Sequence, residues 1–126
     1  MDVNISGRLR QVPRMALPMA PERERGTCVP LAPRLRPERA EQLTELMKTL
    51  ADTTRLQIVV TLRDLGDAVC VCDCTAFFGL SQPTVSHHLA RLRDAGLVDV
   101  SRKGGWAYYS LRRDLPAPIR RVIEAL

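Results

Sequence analysis

The chain has 126 residues, the size of a single domain, and 45% of them are hydrophobic, which is enough to form a core. It has no run of about 18 apolar residues and no apolar stretch after the N-terminal arginines, so we expect neither a membrane span nor a signal peptide. These features predict a cytoplasmic protein whose thiols stay mostly reduced, and they disfavour a fold that depends on structural disulfides.

The formal net charge of +5 is unevenly distributed along the chain. Residues 1–39 carry eight arginines against four acidic residues, and residues 81–113 carry six basic against two acidic residues. Basic charge that is concentrated in this way is typical of proteins that bind a polyanion, although many charge runs are simply solvated.

Residues 1–36 indicate an irregular N-terminal arm. Six of the nine prolines lie in this segment or directly after it, together with two glycines, and no apolar period runs through it. The arm carries Cys28, and Met15 and Met19 leave open whether translation naturally starts later. We therefore predict an arm over residues 1–36 and a folded domain over residues 37–126.

Four helices are predicted next, from apolar residues at 3.6-residue spacing and from capping residues. The first begins at Pro37, the second begins at the Asp52 cap and ends at Gly66, and a short third helix ends at Gly79. The fourth begins at the Ser81 cap. Their expected apolar positions are Leu43, Leu46, Met47 and Leu50; Leu56, Val59, Val60 and Leu62; and Val85, Leu89 and Leu92.

After the fourth helix the apolar period changes from 3.6 to about 2. The segments "LVDVSR" and "WAYYSL" flank Lys103–Gly105 and predict a two-stranded hairpin. The final segment, "LPAPIRRVIEAL", predicts a short helix with apolar residues at Ile119, Val122, Ile123 and Leu126. The predicted fold is mainly α with a small β-hairpin.

The third helix, the fourth helix and the hairpin together predict a winged helix-turn-helix. Small polar residues at the start of the fourth helix suit base edges in the major groove, and basic residues suit phosphates. A plain solvent-exposed face is the alternative, but it leaves the agreement between helix, turn, helix and wing unexplained. The candidate DNA-binding residues are Gln82, Thr84, Ser86, His87, Arg91, Arg102 and Lys103.

The adjacent histidines do not indicate a metal site or an active site. Neighbouring residues on a helix diverge by about 100°, so His87 and His88 cannot easily share one ion. We expect His87 to contact DNA and His88 to pack partly buried. No acidic residue is placed to orient either imidazole, and the sequence predicts that the protein is not an enzyme.

Three of the four cysteines lie at alternate positions in "CVCDC". If Cys70 caps the third helix, Asp73 reaches back as in a capping box, and the thiols of Cys70 and Cys72 can approach each other. A helix N-terminus lowers the pKa of a thiol and so favours the thiolate that soft ions bind. Trivalent arsenic or antimony takes three sulfurs, so a third would come from Cys28 or from Cys74.

The segments "LADTTRLQIVVTL", "CVCD", "GLSQPTVSHHLARLRDAGLV" and "WAYYSL" resemble the arsenical-resistance repressor (ArsR/SmtB) family of dimeric winged-helix metalloregulators, over residues 38–115. The resemblance implies DNA contacts at Gln82, Ser86 and His87. It also implies a homodimer, formed through the first and last helices, that binds near-palindromic double-stranded operator DNA. The last helix has no histidine, so the zinc site of some relatives is expected to be missing.

The resemblance also bears on the third ligand. In similar proteins with "CVCD", a cysteine far upstream reaches the pair of the opposite protomer, and Cys28 lies at a matching position. Relatives that complete the site within the helix place a cysteine at the position of Thr75, one residue beyond Cys74. The resemblance therefore implies Cys28, Cys70 and Cys72 as ligands of As(III) or Sb(III), with Cys74 as a reserve ligand or a buried small residue.

The predicted function is a repressor that binds operator DNA when ligand-free and releases it when thiolates bind the metalloid. Inorganic and methylated arsenic both remain open as the inducer. One alternative keeps the fold and makes the thiols a sensor of cadmium or lead, or of redox or persulfide state through a disulfide between Cys28 and a cysteine of "CVC". A thiol oxidoreductase or a metal-buffering protein agrees poorly with the well-formed recognition helix.

Overall fold

The computed structural model describes residues 24–126, and the chain divides into two units, Met1–Ala32 and Pro33–Leu126. The described part of the first unit, residues 24–32, has a turn and is otherwise irregular and exposed. The prediction for residues 1–23 lies outside the described residues. The boundary between the two units follows Ala32, a few residues before the end of the arm at residue 36 that the sequence predicts.

The second unit contains five helices and three short strands. They are α1 (Pro37–Leu50), α2 (Thr53–Leu65), β1 (Val69–Cys70), α3 (Val71–Phe78), α4 (Gln82–Asp94), β2 (Val98–Lys103), β3 (Trp106–Leu111) and α5 (Ala117–Ala125). The fold predicted from the sequence, a mainly α winged helix-turn-helix with a small hairpin, is therefore confirmed. In the described part of the chain, the helices are too short or too polar to cross a membrane.

Local capping explains where α2 begins and ends and where α4 begins. The Asp52 side chain accepts a hydrogen bond from the backbone N–H of Arg55 at 3.0 Å, and α2 ends at Gly66 in the left-handed region. The Ser81 hydroxyl accepts from the backbone N–H of Thr84 at 3.4 Å at the start of α4. These ends agree with the sequence-based predictions.

The wing is larger by one strand than the sequence predicts. β2 and β3 form the expected antiparallel hairpin, with Gly104 and Gly105 both at positive φ in its turn. β1 pairs with the other side of β3, so that the strand order is β1-β3-β2 and Cys70 lies opposite Tyr108. A two-residue strand is too short to show an alternating pattern, which is why the sequence predicts the hairpin but not β1.

The core lies between the helices and the inner face of the sheet, and it differs from the prediction at a few positions. Ile58 is almost fully buried, whereas Leu56 and Val60 lie at the edges of the buried face of α2 and are half-buried. Val85, Leu89 and Leu92 are fully buried, as predicted. Three of the predicted apolar positions are exposed in the single chain, and all lie on α1 or at α5: Met47, Val122 and Leu126.

Candidate DNA-binding face and thiol site

The polar side of α4 forms a continuous exposed face. Thr84, His87 and Arg91 follow one another at spacings of three and four residues, so they lie on one side of the helix, and all three are exposed. Gln82 is exposed at the N-terminal end. This face is held outward because the opposite side of α4 is packed into the core. Three hydrogen-bonding side chains, those of Gln82, Thr84 and His87, and the cation of Arg91 are therefore exposed along this face.

Two of the candidate side chains on α4 are less free than the sequence predicts. The Thr84 hydroxyl lies 2.8 Å from the Ser81 hydroxyl and takes part in the helix cap. Ser86 is half-buried. Both residues remain at the N-terminal end of the helix, where a recognition helix meets base edges.

The wing carries exposed basic residues next to its turn. Arg102 and Lys103 close β2 and are exposed, opposite Ala107 and Trp106 of β3. Trp106 is an exposed aromatic that the sequence analysis did not single out. Its position directly after Gly104 and Gly105, at the start of β3, was the signal in the sequence that could have marked it.

A contact that the sequence analysis missed joins α4 to the C-terminal end of α1 and the N-terminal end of α2. The Arg55 Nε donates to the backbone carbonyl of Thr49 at 2.7 Å, and its Nη1 lies 3.4 Å from the Nδ1 of His88. Since a guanidinium has only donors, Nδ1 acts as the acceptor in this contact. His88 is 14% exposed, which agrees with the expected packing role.

The same cluster affects the Asp52 carboxylate. The hydrogen bond from the Arg55 backbone has the largest effect and lowers the pKa of Asp52. Partial burial raises this pKa by less, and the positive guanidinium of Arg55 makes a further, smaller lowering contribution. Asp52 therefore stays ionised to lower pH than an ordinary aspartate and holds the start of α2.

The thiol site lies at the N-terminus of α3. Cys70 is the N-cap residue, with extended backbone, and its N–H donates to Asp73 Oδ2 at 3.0 Å. The capping geometry expected from the sequence is therefore present. It brings the sulfurs of Cys70 and Cys72 together, and the structure joins them as a disulfide with their Cα atoms 5.4 Å apart.

Asp73 adds an oxygen atom to this cluster. Its carboxylate and the sulfurs of Cys70 and Cys72 all lie within 4.8 Å of one another. The sequence analysis assigned Asp73 only to the helix cap, but the reciprocal reach of a capping box is what places a carboxylate beside the thiol of a capping cysteine.

The other two cysteines lie in different surroundings. Cys74 is buried in the core, and burial raises the pKa of its thiol, with a further contribution from the negative charge of Asp73. Cys28 is exposed in the first unit and forms no disulfide. The structure thus brings together two of the predicted ligands, Cys70 and Cys72, and directs the reserve cysteine into the apolar interior.

The helix that carries the thiol site lies next to the helix that carries the candidate DNA-binding face. α3 and α4 pack against each other and are separated only by the turn at Gly79, which has positive φ. α4 in turn packs against β2 of the wing. The thiol site is thus linked through α3 to the two elements that carry the candidate DNA contacts, α4 and the wing.

The chain is similar in sequence to known bacterial regulatory proteins. The family model for the bacterial regulatory proteins of the arsR family matches residues 52–100, which span α2, α3, α4 and the start of the wing. The arsenical resistance operon repressor of Escherichia coli K12 is 44% identical over 80 residues, covering 64% of this chain and 68% of the relative. The arsenic resistance transcriptional regulator ArsR1 of Pseudomonas putida KT2440 is 40% identical over 84 residues, covering 64% and 65%.

Solved structures agree with the sequence relatives. HlyU from Vibrio cholerae superposes with a TM-score of 0.62 at 29% identity, over 71% of this chain and 92% of that one. The antimony-specific transcriptional repressor AntR superposes with a TM-score of 0.61 at 28% identity, over 75% and 81%. AntR is a transcriptional repressor, and the family model and the E. coli relative also describe regulators, in agreement with the prediction that the protein is not an enzyme. The chain belongs to the arsR family of bacterial regulatory proteins, which are winged-helix transcriptional regulators that bind DNA.

Proposed function

We propose that the protein is a cytoplasmic, homodimeric repressor that binds operator DNA when ligand-free and releases it when its thiolates bind As(III) or Sb(III). The observation that carries the proposal is the meeting of the Cys70 and Cys72 sulfurs on the helix that packs directly against α4. The names of the relatives support the choice of ion, since the E. coli and P. putida proteins are arsenic-resistance regulators and AntR is specific for antimony.

The proposed ligands are Cys28, Cys70 and Cys72. Reduction of the disulfide leaves two thiols on a backbone that already brings both sulfurs to one point, and soft thiolates favour soft ions. Cys74 is the weaker candidate for the third sulfur, because turning it toward the pair would remove it from the hydrophobic core. Cys28 is exposed and carries no such cost, and Cys74 stays in reserve.

Metalloid binding would change the affinity for DNA through the contact between α3 and α4. When three sulfurs contract around one ion, the N-terminus of α3 moves, and α4 moves with it because the two helices are packed together. A differential binding free energy of about 1.4 kcal/mol is enough to change operator affinity tenfold. α4 is also joined to α1 and α2, because Arg55 of α2 contacts both His88 of α4 and the Thr49 carbonyl of α1.

On DNA, the N-terminal end of α4 would enter the major groove, with Gln82, Thr84, Ser86 and His87 toward base edges and Arg91 toward a phosphate. Arg102 and Lys103 of the wing would contact the neighbouring backbone or minor groove. Two such units, joined through α1 and α5, would read half-sites about 34 Å apart. The exposed apolar residues Met47 and Val122 support this dimer face, since they lie on the two helices concerned.

Operator binding, followed by fluorescence anisotropy, tests the proposal. The reduced protein and each of its four Cys→Ser variants are titrated with arsenite, antimonite, cadmium, lead and zinc. We expect arsenite or antimonite to release DNA from the wild type and from Cys74→Ser, and Cys28→Ser, Cys70→Ser and Cys72→Ser to lose the response. Release by cadmium or lead alone would keep the site and change the ion, and full release from Cys70→Ser and Cys72→Ser would overturn the proposed site.

A second candidate function is redox or persulfide sensing on the same fold. The observation that favours it is the disulfide between Cys70 and Cys72, which replaces the pairing with Cys28 that the sequence analysis considered. A peroxide would oxidise the two thiols to the disulfide and be reduced to water. Release of operator DNA by peroxide or polysulfide in ion-free buffer, reversed by a thiol reductant, would support this function over metalloid sensing.

A further inference from the structure

An apolar pocket of about 210 Å³ opens between the C-terminal half of α2 and α3. Its walls include Leu62, Leu65, Val69, Phe77 and Phe78. The two phenylalanine rings meet edge to face, with their centres 5.0 Å apart. Phe77 is 73% exposed at the mouth of the pocket, and Leu65 is exposed beside it. Large apolar side chains that are exposed together around a concave pocket indicate a binding surface, whereas single exposed apolar residues do not.

The pocket begins at the thiol site. Asp73 lines it, and the carboxylate of the same residue lies within 4.8 Å of the Cys70 and Cys72 sulfurs. Val69, which also lines the pocket, directly precedes Cys70. A chain segment whose cysteine binds an ion at these two sulfurs would therefore lie next to the pocket.

The segment that follows Cys28 has the composition to enter it. It reads "VPLAP", carries no charge, and exposes Val29 and Leu31, the latter at 89%. Pro30 and Pro33 restrict the residues before them to extended backbone, with a rise of about 3.1 Å per residue in the polyproline conformation. Leu31 therefore lies roughly 9 Å beyond Cys28, which is within reach of the pocket from the sulfurs.

We propose that the Val29–Pro33 segment of the second protomer docks in this pocket when its Cys28 joins Cys70 and Cys72 at the ion, with Leu31 as the side chain that fills it. The inference rests on the three-thiolate site proposed above. Proline-containing extended segments of this spacing bind aromatic-lined grooves with little loss of conformational entropy. An uncharged segment also enters an apolar pocket without the desolvation of a charge.

Docking makes the arm a clamp that holds the metalloid-bound state. The ion tethers Cys28, the tether raises the local concentration of Leu31 at the pocket, and the apolar contact then slows the release of the third sulfur. The metalloid affinity is set in part by side chains that do not touch the ion.

Arsenite titration of the full-length reduced protein on labelled operator tests the clamp. We expect Leu31→Ser and Phe77→Ser each to raise the arsenite concentration for half-release about tenfold, which corresponds to about 1.4 kcal/mol. The double variant should lose little more than either single one, because the two side chains form one contact. Leu35→Ser is the matched control, since Leu35 is an apolar residue 50% exposed outside the segment, and it should titrate as the wild type.

A cross-linking experiment locates the segment directly. Leu31, or Leu35 as the control, is replaced by photoreactive benzoylphenylalanine, and the protein is irradiated with and without arsenite. We expect an arsenite-dependent covalent dimer from position 31 only, with the link mapped by mass spectrometry to residues 58–78. A link within one chain, or to another part of the surface, would overturn the proposal.

The metalloid response and the docking of the Val29–Pro33 segment can be distinguished, because the loss of each gives a different result. If neither arsenite nor antimonite releases DNA from the wild type, the proposed function fails and the clamp falls with it. If the wild type responds and needs Cys28, but Leu31→Ser and Phe77→Ser titrate like Leu35→Ser, the metalloid site stands and only the docking is overturned.

Discussion

Arg55 of α2 and His88 of α4 are in contact, with Nη1 and Nδ1 3.4 Å apart, in an interior where their side chains are 16% and 14% exposed. The same guanidinium binds the carbonyl of Thr49 near the end of α1. One side chain on α2 thus connects α1, which is expected to form the dimer, with α4, which is expected to contact DNA. Because a planar guanidinium offers its donors in fixed directions, it constrains the relative position of all three.

Replacing this guanidinium should loosen the connection. Arg55→Met keeps most of the side-chain volume and removes every donor, leaving the Thr49 carbonyl and the His88 nitrogen without this partner. We expect the free energy of unfolding to fall by about 1–3 kcal/mol in urea titrations, and operator affinity to fall with it. Arg120→Met, which removes an equal charge from an exposed ion pair, should change stability by less than about 0.5 kcal/mol. Equal effects of the two variants would contradict the structural role of Arg55.

The Asp52 cap should give a stability contribution that depends on pH. Asp52→Ala is expected to cost about 1 kcal/mol at pH 7, as the loss of an N-cap usually does. The folded-state pKa of Asp52 is lowered, so its contribution is present above the unfolded-state pKa of about 3.9 and is lost as the pH falls through the lower folded value. Urea unfolding of wild type and variant between pH 7 and pH 3 measures the difference.

The matched control for Asp52 is Glu41→Ala, on the exposed side of α1. This variant removes a carboxylate outside the cap and should stay within about 0.5 kcal/mol of the wild type. If the difference between wild type and Asp52→Ala grows as the pH falls from 5 to 3, the assignment of the cap is wrong.

The features that could be predicted from the sequence are those determined by local interactions. The Ser81 and Asp52 caps, the glycine ends of α2 and α3, and the buried stripe of α4 all depend on residues within four positions of one another. The approach of Cys70 and Cys72 belongs to the same class, because an N-cap followed by one helical turn determines it.

The features that were missed depend on distant parts of the chain. β1 exists only because β3, almost forty residues later, offers a free edge. The bridge from Arg55 to His88 spans 33 positions, and no periodicity signals it. The buried face of α2 is centred on Ile58, Val59 and Leu62. The apolar spacing in the sequence also allowed a buried face that leaves out Ile58.

The cysteines should differ strongly in reactivity when the Cys70–Cys72 disulfide is intact. Cys28 is exposed, whereas burial both shields Cys74 and raises the pKa of its thiol, so less thiolate is available at neutral pH. We expect iodoacetamide at pH 7.5 to alkylate Cys28 more than about tenfold faster than Cys74, as measured by peptide mass spectrometry. In urea the two rates should converge. Faster alkylation of Cys74 in the folded protein would contradict its place in the core.

The wing and the recognition helix should contribute to operator binding in different ways. Arg102→Ala and Lys103→Ala remove exposed cations beside the turn and are expected to reduce the slope of log affinity against log salt by about 1 each, with uniform weakening on all sequences. Gln82→Ala, at the exposed start of α4, should leave the slope unchanged and cost about 1–3 kcal/mol on the operator only.

Anisotropy titrations at several salt concentrations, on an operator and on an unrelated duplex, separate the two effects. Arg120→Ala is the control for charge, because α5 lies outside both proposed DNA-binding elements and its slope should match the wild type. The assignment depends on the contrast between the variants. If Gln82→Ala weakens both duplexes equally, or if the wing variants weaken only the operator, the roles given to α4 and to the wing must be exchanged, since phosphate contacts carry no base-sequence information and base contacts do.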